Sequence, residues 1–436
     1  MCGRGNDLFL IDQVFDFMRK ISADYIFPIS SEPIMNGVIT IDDVGTILEV
    51  TKENQESGIK SQGNRTGVEY FEGIICPGFI NTHCHLELSH LRSQIPENKG
   101  ITGFIKEIIS KRLDFSKEQI QQSIAGAEAE MIYNGIVAVG DISNNNSTFS
   151  QKAKGNLFYH TFIEVFDLNP DKAEKAFENG LLLHREFSQI SGLASHISIV
   201  PHSPYSVSEK LFKLISDEAI KNNSIISIHN QESLAESELF ISRSGTLFEA
   251  FKQMGINMDL VEKTGVNSLK TTLPKLPQSQ KIGLVHNTYT SPEDIQWAEK
   301  KMEKGRWKRE DGSISHLKSQ ISNLFWCTCP NANMFIENKL LDYNCFIDEN
   351  VRVTIGTDSL ASNRTLSVLD ELKTISKHYP HIPLQTLLLW ATKNGADFLG
   401  FTQLGTIEKG KKPGLNLLKN VEGLKISEKT EVMKLV

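Results

Sequence analysis

The sequence predicts an α/β chain, a (β/α)8 TIM barrel carrying a small β-sandwich module built from both chain ends. Three observations predict it. Apolar runs of β character recur through the middle of the chain, helical patterns lie between most of them, and short strand-like segments return at both ends. Strands that alternate with helices form parallel sheets. A parallel strand is buried on both faces, so it reads as a continuous apolar run and not as an alternation.

The middle runs are Ile74–Asn81, Ile136–Asp141, Phe158–Val165, Ile197–Pro201, Ile225–Ile228, Ile282–Val285, Asn323–Thr328 and Val351–Thr357, eight in all. Helical periodicity predicts helices over Lys117–Tyr133, Ala173–Phe187, Ser208–Lys221 and Pro292–Lys304. Near the N-terminus, Asp24–Ile29, Gly37–Ile41 and Thr46–Val50 read as strands, with Asn36-Gly37 as a turn between the first two. Leu404–Ile407 and Gly414–Leu418 resume that character. The expected division is therefore an N-terminal extension over 1–21, a composite β-sandwich module from 22–75 and 403–436, and a barrel over 76–402. Residues 304–318 are polar and read as a solvated surface excursion. The chain shows no internal repeat and no low-complexity tract.

At 436 residues the chain is long enough for a large barrel with an accessory module. Apolar residues make up 39% and charged residues 23%, an ordinary globular composition. The formal net charge of −7 and pI near 6.0 argue against nucleic-acid or anionic-membrane binding, which need a basic face, and leave a small-molecule substrate as the expected partner. No apolar run reaches the roughly 18 residues of a membrane span. Met1-Cys2-Gly3-Arg4-Gly5 and the mixed stretch Asp7–Lys20 lack the apolar core and small-residue cleavage site of a signal peptide. They read as an extension, with Met18 an alternative start. The six cysteines, Cys2, Cys76, Cys84, Cys327, Cys329 and Cys345, show no disulfide-framework spacing, and Cys327 and Cys329 form C-x-C. Free, mostly buried thiols in a reducing cytoplasm are expected.

Catalytic residues of such barrels sit at the C-terminal ends of the strands. The first run leads into Asn81-Thr82-His83-Cys84-His85. Residues i and i+2 of a strand share a side, so His83 and His85 can face the mouth and share one metal while Cys84 points away. H-x-H alone is a weak signal. The fifth run leads into His229-Asn230-Gln231-Glu232, the sixth into His286 and the eighth into Gly356-Thr357-Asp358. Four strand ends thus carry metal-capable or proton-transferring groups, and imidazoles with a carboxylate suit Zn²⁺ or Fe²⁺. His202 follows the fourth run, in Pro201-His202-Ser203-Pro204-Tyr205, where it can contact substrate. His90, His160, His184, His196, His316, His378 and His381 lie off these positions and read as surface or structural residues. Residues 86–116 and 233–280 are expected to overhang the mouth, with Phe248, Phe251, Met254 and Met258 as packing residues.

At these positions the chain resembles the amidohydrolase superfamily, in its cytosine deaminase, guanine deaminase and chlorohydrolase-like branch. The matching segments run from Cys76 to His85, from Pro201 to Tyr205, from His229 to Glu232, from Val285 to Asn287, from Cys329 to Asn333 and from Gly356 to Asn363, in family order. The resemblance implies one divalent metal, Zn²⁺ or Fe²⁺, on His83, His85, His229 and Asp358. It implies Glu232 as general acid/base, His286 as a hydrogen-bonding group beside the reacting atom, and His202 and Ser362 as substrate contacts. It also implies the composite β-module and a homodimer. The chain departs from the family at Gly410-Lys411-Lys412-Pro413-Gly414-Leu415-Asn416, where Gly-Lys-x-Ala-Asp-Leu is usual. It also lacks the bridging lysine of binuclear branches after the fourth run, which favours one metal. Leu86-Glu87-Leu88-Ser89 and Gly103-Phe104-Ile105 are similar to nucleoside-type deaminases, aminodeoxyfutalosine deaminases included. His85 and Glu87 form the H-x-E of zinc cytidine deaminases of another fold, but the accompanying P-C-x-x-C is absent.

The expected reaction is hydrolytic deamination of an amino-substituted heterocycle or nucleoside. A divalent ion brings the pKa of a bound water from 15.7 to roughly 7. Asp358 takes its proton, hydroxide attacks the amino-bearing ring carbon, Glu232 protonates the adjacent ring nitrogen, and ammonia leaves. The same groups serve a chlorohydrolase or another C–N or amide hydrolase, so the motifs leave that alternative open. A non-catalytic scaffold would be free to lose these ligands, and this chain keeps them.

Overall fold

In a computed structural model, the described residues are 18–52, 67–190, 192, 196–305 and 323–436. The extension over 1–17, with Cys2, and His316 with most of the surface excursion at 304–318 lie outside the described residues. Fifteen strands are described: β1 Arg19–Ile26, β2 Ile34–Met35, β3 Val38–Ile41, β4 Ile47–Thr51, β5 Val68–Pro77, β6 Phe79–Cys84, β7 Ile136–Ser143, β8 Phe158–Val165, β9 Ile197–Pro201, β10 Ile226–Asn230, β11 Ile282–His286, β12 Leu324–Thr328, β13 Val353–Ile355, β14 Leu415–Lys419 and β15 Glu431–Lys434.

Strands from both ends of the chain join in one seven-stranded sheet of order β15-β14-β5-β1-β3-β4, with β2 on β1. Arg19 to Ile21, expected in the extension, belong to β1 and pair with β3. One face of this sheet buries Ile21, Ile39, Ile41, Ile47, Ile75, Leu415 and Leu417 together. Leu404–Ile407, expected as a strand, is instead a series of turns. Gly405 there takes φ +85, and the Leu404 amide donates to the Phe401 carbonyl at 3.1 Å, so the backbone cannot stay extended.

The expected first run, Ile74–Asn81, is two elements. β5 belongs to the terminal sheet and β6 to the next one, and Gly78 separates them. A side chain at Gly78 would collide with Val137, and its amide points to the Pro413 and Gly414 carbonyls, each at 3.2 Å. The chain crosses between sheets where only a glycine fits.

The other strands form two parallel four-stranded sheets, β6-β7-β8-β9 and β10-β11-β12-β13. β7, β9, β10, β11 and β12 are buried along their whole length, as their unbroken apolar sequences require. The two sheets meet at both edges. The His229 amide donates to the His202 carbonyl at 3.1 Å, joining the ends of β9 and β10. The Thr357 and Asp358 amides both donate to the His83 carbonyl at 3.0 Å, joining the chain after β13 to β6. Helices Lys117–Tyr133, Ala173–Phe187, Glu209–Asn222, Pro292–Gly305 and Val368–His378 connect the strands. The first starts at a reciprocal cap between Ser116 and Gln119. Among the described residues no helix is long and apolar enough to cross a membrane.

Candidate active site

β6 ends with His83 and Cys84, and His85 follows. Alternation sends Cys84 into the apolar core beside Leu86, while both imidazoles turn to the mouth. The Nε2 atoms of His83 and His85 lie 3.2 Å apart, and they stand 3.5 and 3.4 Å from Asp358 Oδ1. His229, from β10, brings its ring within 4.8 Å of both. Tetrahedral ligands about 2.1 Å from a zinc ion sit roughly 3.4 Å from one another. The spacing of these donors therefore fits one small divalent cation.

Neighbouring groups fix the donors. His229 Nδ1 donates to the His202 carbonyl at 2.7 Å, which leaves its Nε2 lone pair for a metal. Burial, reinforced by the neighbouring histidines, holds the His229 pKa well below the ordinary value, and burial also lowers that of His85. Both shifts favour the neutral ring that metal ligation requires. Burial alone would raise the Asp358 pKa, but the His83 hydrogen bond and the fields of His85 and His286 hold it well below the usual carboxylate range. Asp358 has φ +56 and His286 φ +74, left-handed backbone that non-glycine residues occupy only at a cost. Gly356 lets this strand end approach β6: a Cβ there would sit 2.8 Å from the His83 Cβ and from the Cys329 sulfur.

Glu232 lies beside this cluster. Burial pushes its carboxyl up to about 7. Its Oε1 stands 3.7 Å from His286 Nε2. The carboxylate of Glu236, in the first turn of helix Leu234–Ser242, accepts from the Gln231 and Glu232 amides at 2.9 and 3.1 Å and so sets the turn that presents Glu232. His286 Nδ1 donates to Asn333 Oδ1 at 2.9 Å, and the Asn333 amide returns a bond to the His286 carbonyl at 3.3 Å. Burial opposes a charge on His286, yet Glu232 and Asp358 raise its pKa.

The structure brings His83, His85, His229, Glu232, His286 and Asp358 together, with His202 half-buried at the rim. Ser362, expected at the substrate, is fully buried and gives its hydroxyl to Asp358 Oδ2. Sequence reasoning gave no role to Asn333, Glu236 or Glu164. Glu164 carried a usable signal, since it lies one residue before the end of the third middle run. The remaining described histidines serve packing or local bonds: His160 binds Ser198, His184 Ser188, His378 the Thr374 carbonyl and His381 Asn344, while His90 meets Phe115 edge-on and His196 packs at a tilt against Phe401. Phe251 and Met258 pack with Tyr205, Leu239 and Ile336 in a separate apolar cluster, with Phe248 and Met254 against it.

Residues 74–434 match the family model described as Amidohydrolase family. The chain belongs to the amidohydrolase family. It is 28% identical over 388 residues to the aminodeoxyfutalosine deaminase of a Nitratiruptor species, covering 88% of this chain and 86% of that one. It is 26% identical over 354 residues to an adenosine deaminase of Helicobacter pylori, covering 80% of each. Among solved structures, Helicobacter pylori aminofutalosine deaminase in complex with methylthio-coformycin aligns with a TM-score of 0.72 at 22% identity over 92% of each chain. The atrazine chlorohydrolase of Arthrobacter aurescens TC1 complexed with zinc aligns at 0.68 and 16% identity, over 91% of this amidohydrolase and 86% of that chain.

Proposed function

We propose that this amidohydrolase hydrolyses the exocyclic C–N bond of an amino-substituted heterocycle carried on a nucleoside, releasing ammonia. The observation that carries the reading is Glu232. It is a buried carboxyl poised near neutrality, 3.7 Å from His286 and beside His83, His85 and Asp358, whose facing atoms lie 3.2 to 3.5 Å apart, with His229 within 4.8 Å of the two histidines. The relatives' names, adenosine deaminase and aminodeoxyfutalosine deaminase, support the substrate class.

His83, His85, His229 and Asp358 would hold the ion, Zn²⁺ in this reading, as the imidazole-rich set favours. When bound, it supplies the Lewis acidity that brings a water's pKa to roughly 7. Asp358, held ionised, accepts the proton that water gives up. Attack at the amino-bearing ring carbon would move an electron pair onto the adjacent ring nitrogen, where Glu232, protonated below about 7, delivers a proton; Asp358 would then pass its proton to the amino group as the C–N bond breaks and ammonia leaves, and the proton of the new hydroxyl returns to Glu232. His286, its Nδ1 proton committed to Asn333, turns Nε2 to the reacting centre and steadies the charge that develops. Burial of all these groups strengthens each interaction.

The finer architecture belongs to the same proposal. Hydrogen bonds at both edges support reading the two parallel sheets as halves of one (β/α)8 barrel over 76–402. The seven-stranded sheet of β1–β5, β14 and β15 is read as its companion β-sandwich module, with its first strand starting at Arg19 and not at residue 22. The five described cysteines are all free, which fits a reducing cytoplasm.

The test is an ammonia-coupled screen of purines, pyrimidines and their nucleosides with zinc-loaded protein, alongside Glu232→Gln. Ammonia release that depends on Glu232 is expected. Chloride released from a chloro-heterocycle with no ammonia from any amino compound would replace this reading with a chlorohydrolase.

A further inference from the structure

Glu164 is an acidic side chain beside His229 to which the reaction assigns no work. We propose that Glu164, with Asn144 and His202, is a hydroxyl-reading subsite that takes a vicinal diol on the sugar-like portion of the substrate. The inference rests on the nucleoside deaminase reading above.

Glu164 stands one residue from the C-terminal end of β8, in register with Val200 of β9, and is only 6% exposed. Asn144, just past β7, clamps it. The Asn144 side-chain amide donates to Glu164 Oε2 at 2.9 Å and to the Glu164 carbonyl at 3.2 Å, while the Asn144 backbone amide donates to Glu87 at 3.1 Å. The other oxygen, Oε1, has no hydrogen bond among the described residues. Its neighbour is His229 Nδ1 at 3.7 Å, beyond hydrogen-bond range, and that nitrogen's one proton already goes to the His202 carbonyl at 2.7 Å. No lysine or arginine among the described residues reaches Glu164. Lys152, buried nearby, is committed to Asp141 at 2.6 Å. Oε1 is thus free to accept from a hydroxyl that enters beside His202 and His229.

The surroundings say what kind of donor fits. A polar atom of His202 lies within 4.8 Å of Glu164 and His229. His202 Nδ1 is engaged by Ser206 Oγ at 2.8 Å, which leaves its second nitrogen for a ligand. Phe166, half-exposed, lies 5.6 Å from the His202 ring and offers an apolar flank. A two-oxygen acceptor, an imidazole and an aromatic flank suit adjacent hydroxyls on a compact ring. A second metal ion is a poor occupant, because His229 Nδ1 is already bonded to a carbonyl.

The experiment compares kcat/KM for deamination of adenosine, 2′-deoxyadenosine, 3′-deoxyadenosine and 2′,3′-dideoxyadenosine by the zinc-loaded wild type, Glu164→Gln and Asn144→Ala. Bound zinc and thermal unfolding are measured for each protein. Wild type should prefer adenosine over the dideoxy compound by about 100-fold or more, since sites built to bond a hydroxyl reject analogues that lack it. Glu164→Gln should shrink that ratio by at least about 10-fold, and Asn144→Ala should shrink it less, since the carboxylate remains but is no longer clamped. An unchanged ratio in Glu164→Gln, with both substrates slowed equally, would make Glu164 structural and overturn the subsite while leaving deamination standing. Absence of ammonia from all four compounds would sink the nucleoside reading itself, and the subsite with it.

Discussion

Glu232 and His286 illustrate how a single residue's setting decides its chemistry. Water would leave a glutamate ionised at neutral pH, and burial moves this one to about 7. A proton donor works while protonated, so the limb of the kcat profile owed to Glu232 is full below about 7 and falls as pH rises through it. Glu232→Gln should lower kcat by about 100-fold or more and abolish that limb in a pH–rate profile. Asn333 fixes which His286 nitrogen carries the proton. Asn333→Ala should lower kcat by roughly 10- to 100-fold with little change in bound zinc, measured by turnover and metal analysis on the same sample. The metal-capable residues were legible in the sequence because strand ends expose alternate side chains. Asn333 was not, because its role depends on a contact with His286 across the mouth that no local pattern encodes.

Elements show where pattern reading holds and where it fails. Phe158–Val165 and Ile197–Pro201 match their expected limits, the second because His196 and His202 bound its apolar run. Ile74–Asn81 reads as equally continuous, yet it divides at Gly78, since hydropathy does not record the crossing between two sheets. Leu404–Ile407 has strand composition, but Gly405 and the Thr406 hydroxyl, bonded to Glu408 and Lys411, commit it to turns. A further device was invisible in the sequence. Asp141 on β7 meets the fully buried Lys152 at 2.6 Å and accepts from the Leu86 amide at 2.8 Å, just past His85. Lys152 also reaches Ser143 and Thr161 at 3.1 and 3.0 Å. Removing one partner of such a buried pair leaves an unpaired charge. Lys152→Met should cost about 3–5 kcal/mol in urea unfolding, and Asp141→Asn in the same protein should recover part of that loss.

For the whole molecule, the site is assembled from strands that are distant in sequence, so metal binding and folding are linked. Zinc at a thousandfold excess over its dissociation constant contributes about 4 kcal/mol to stability. Chelation should lower the unfolding midpoint and added zinc restore it, while Asp358→Asn should not respond to either. The division into β-rich ends and an alternating middle was readable from composition. That both ends join in one module was expected too, but which strands pair was a matter of topology: β14 pairs with β5 from Ile74 to Pro77, directly before the strand that carries His83. A chain ending at Pro413 leaves that edge open and should accumulate as insoluble protein, measured by fractionation after expression. Gly78, whose amide is received by residues 413 and 414, gives this pairing a meaning in time. During synthesis the histidine-bearing strand leaves the ribosome well before Asp358, and the segment that steadies Gly78 follows later still. The proposed ion cage therefore stays incomplete until Asp358 has emerged, so capture of a metal would follow the synthesis of β13 rather than that of β6.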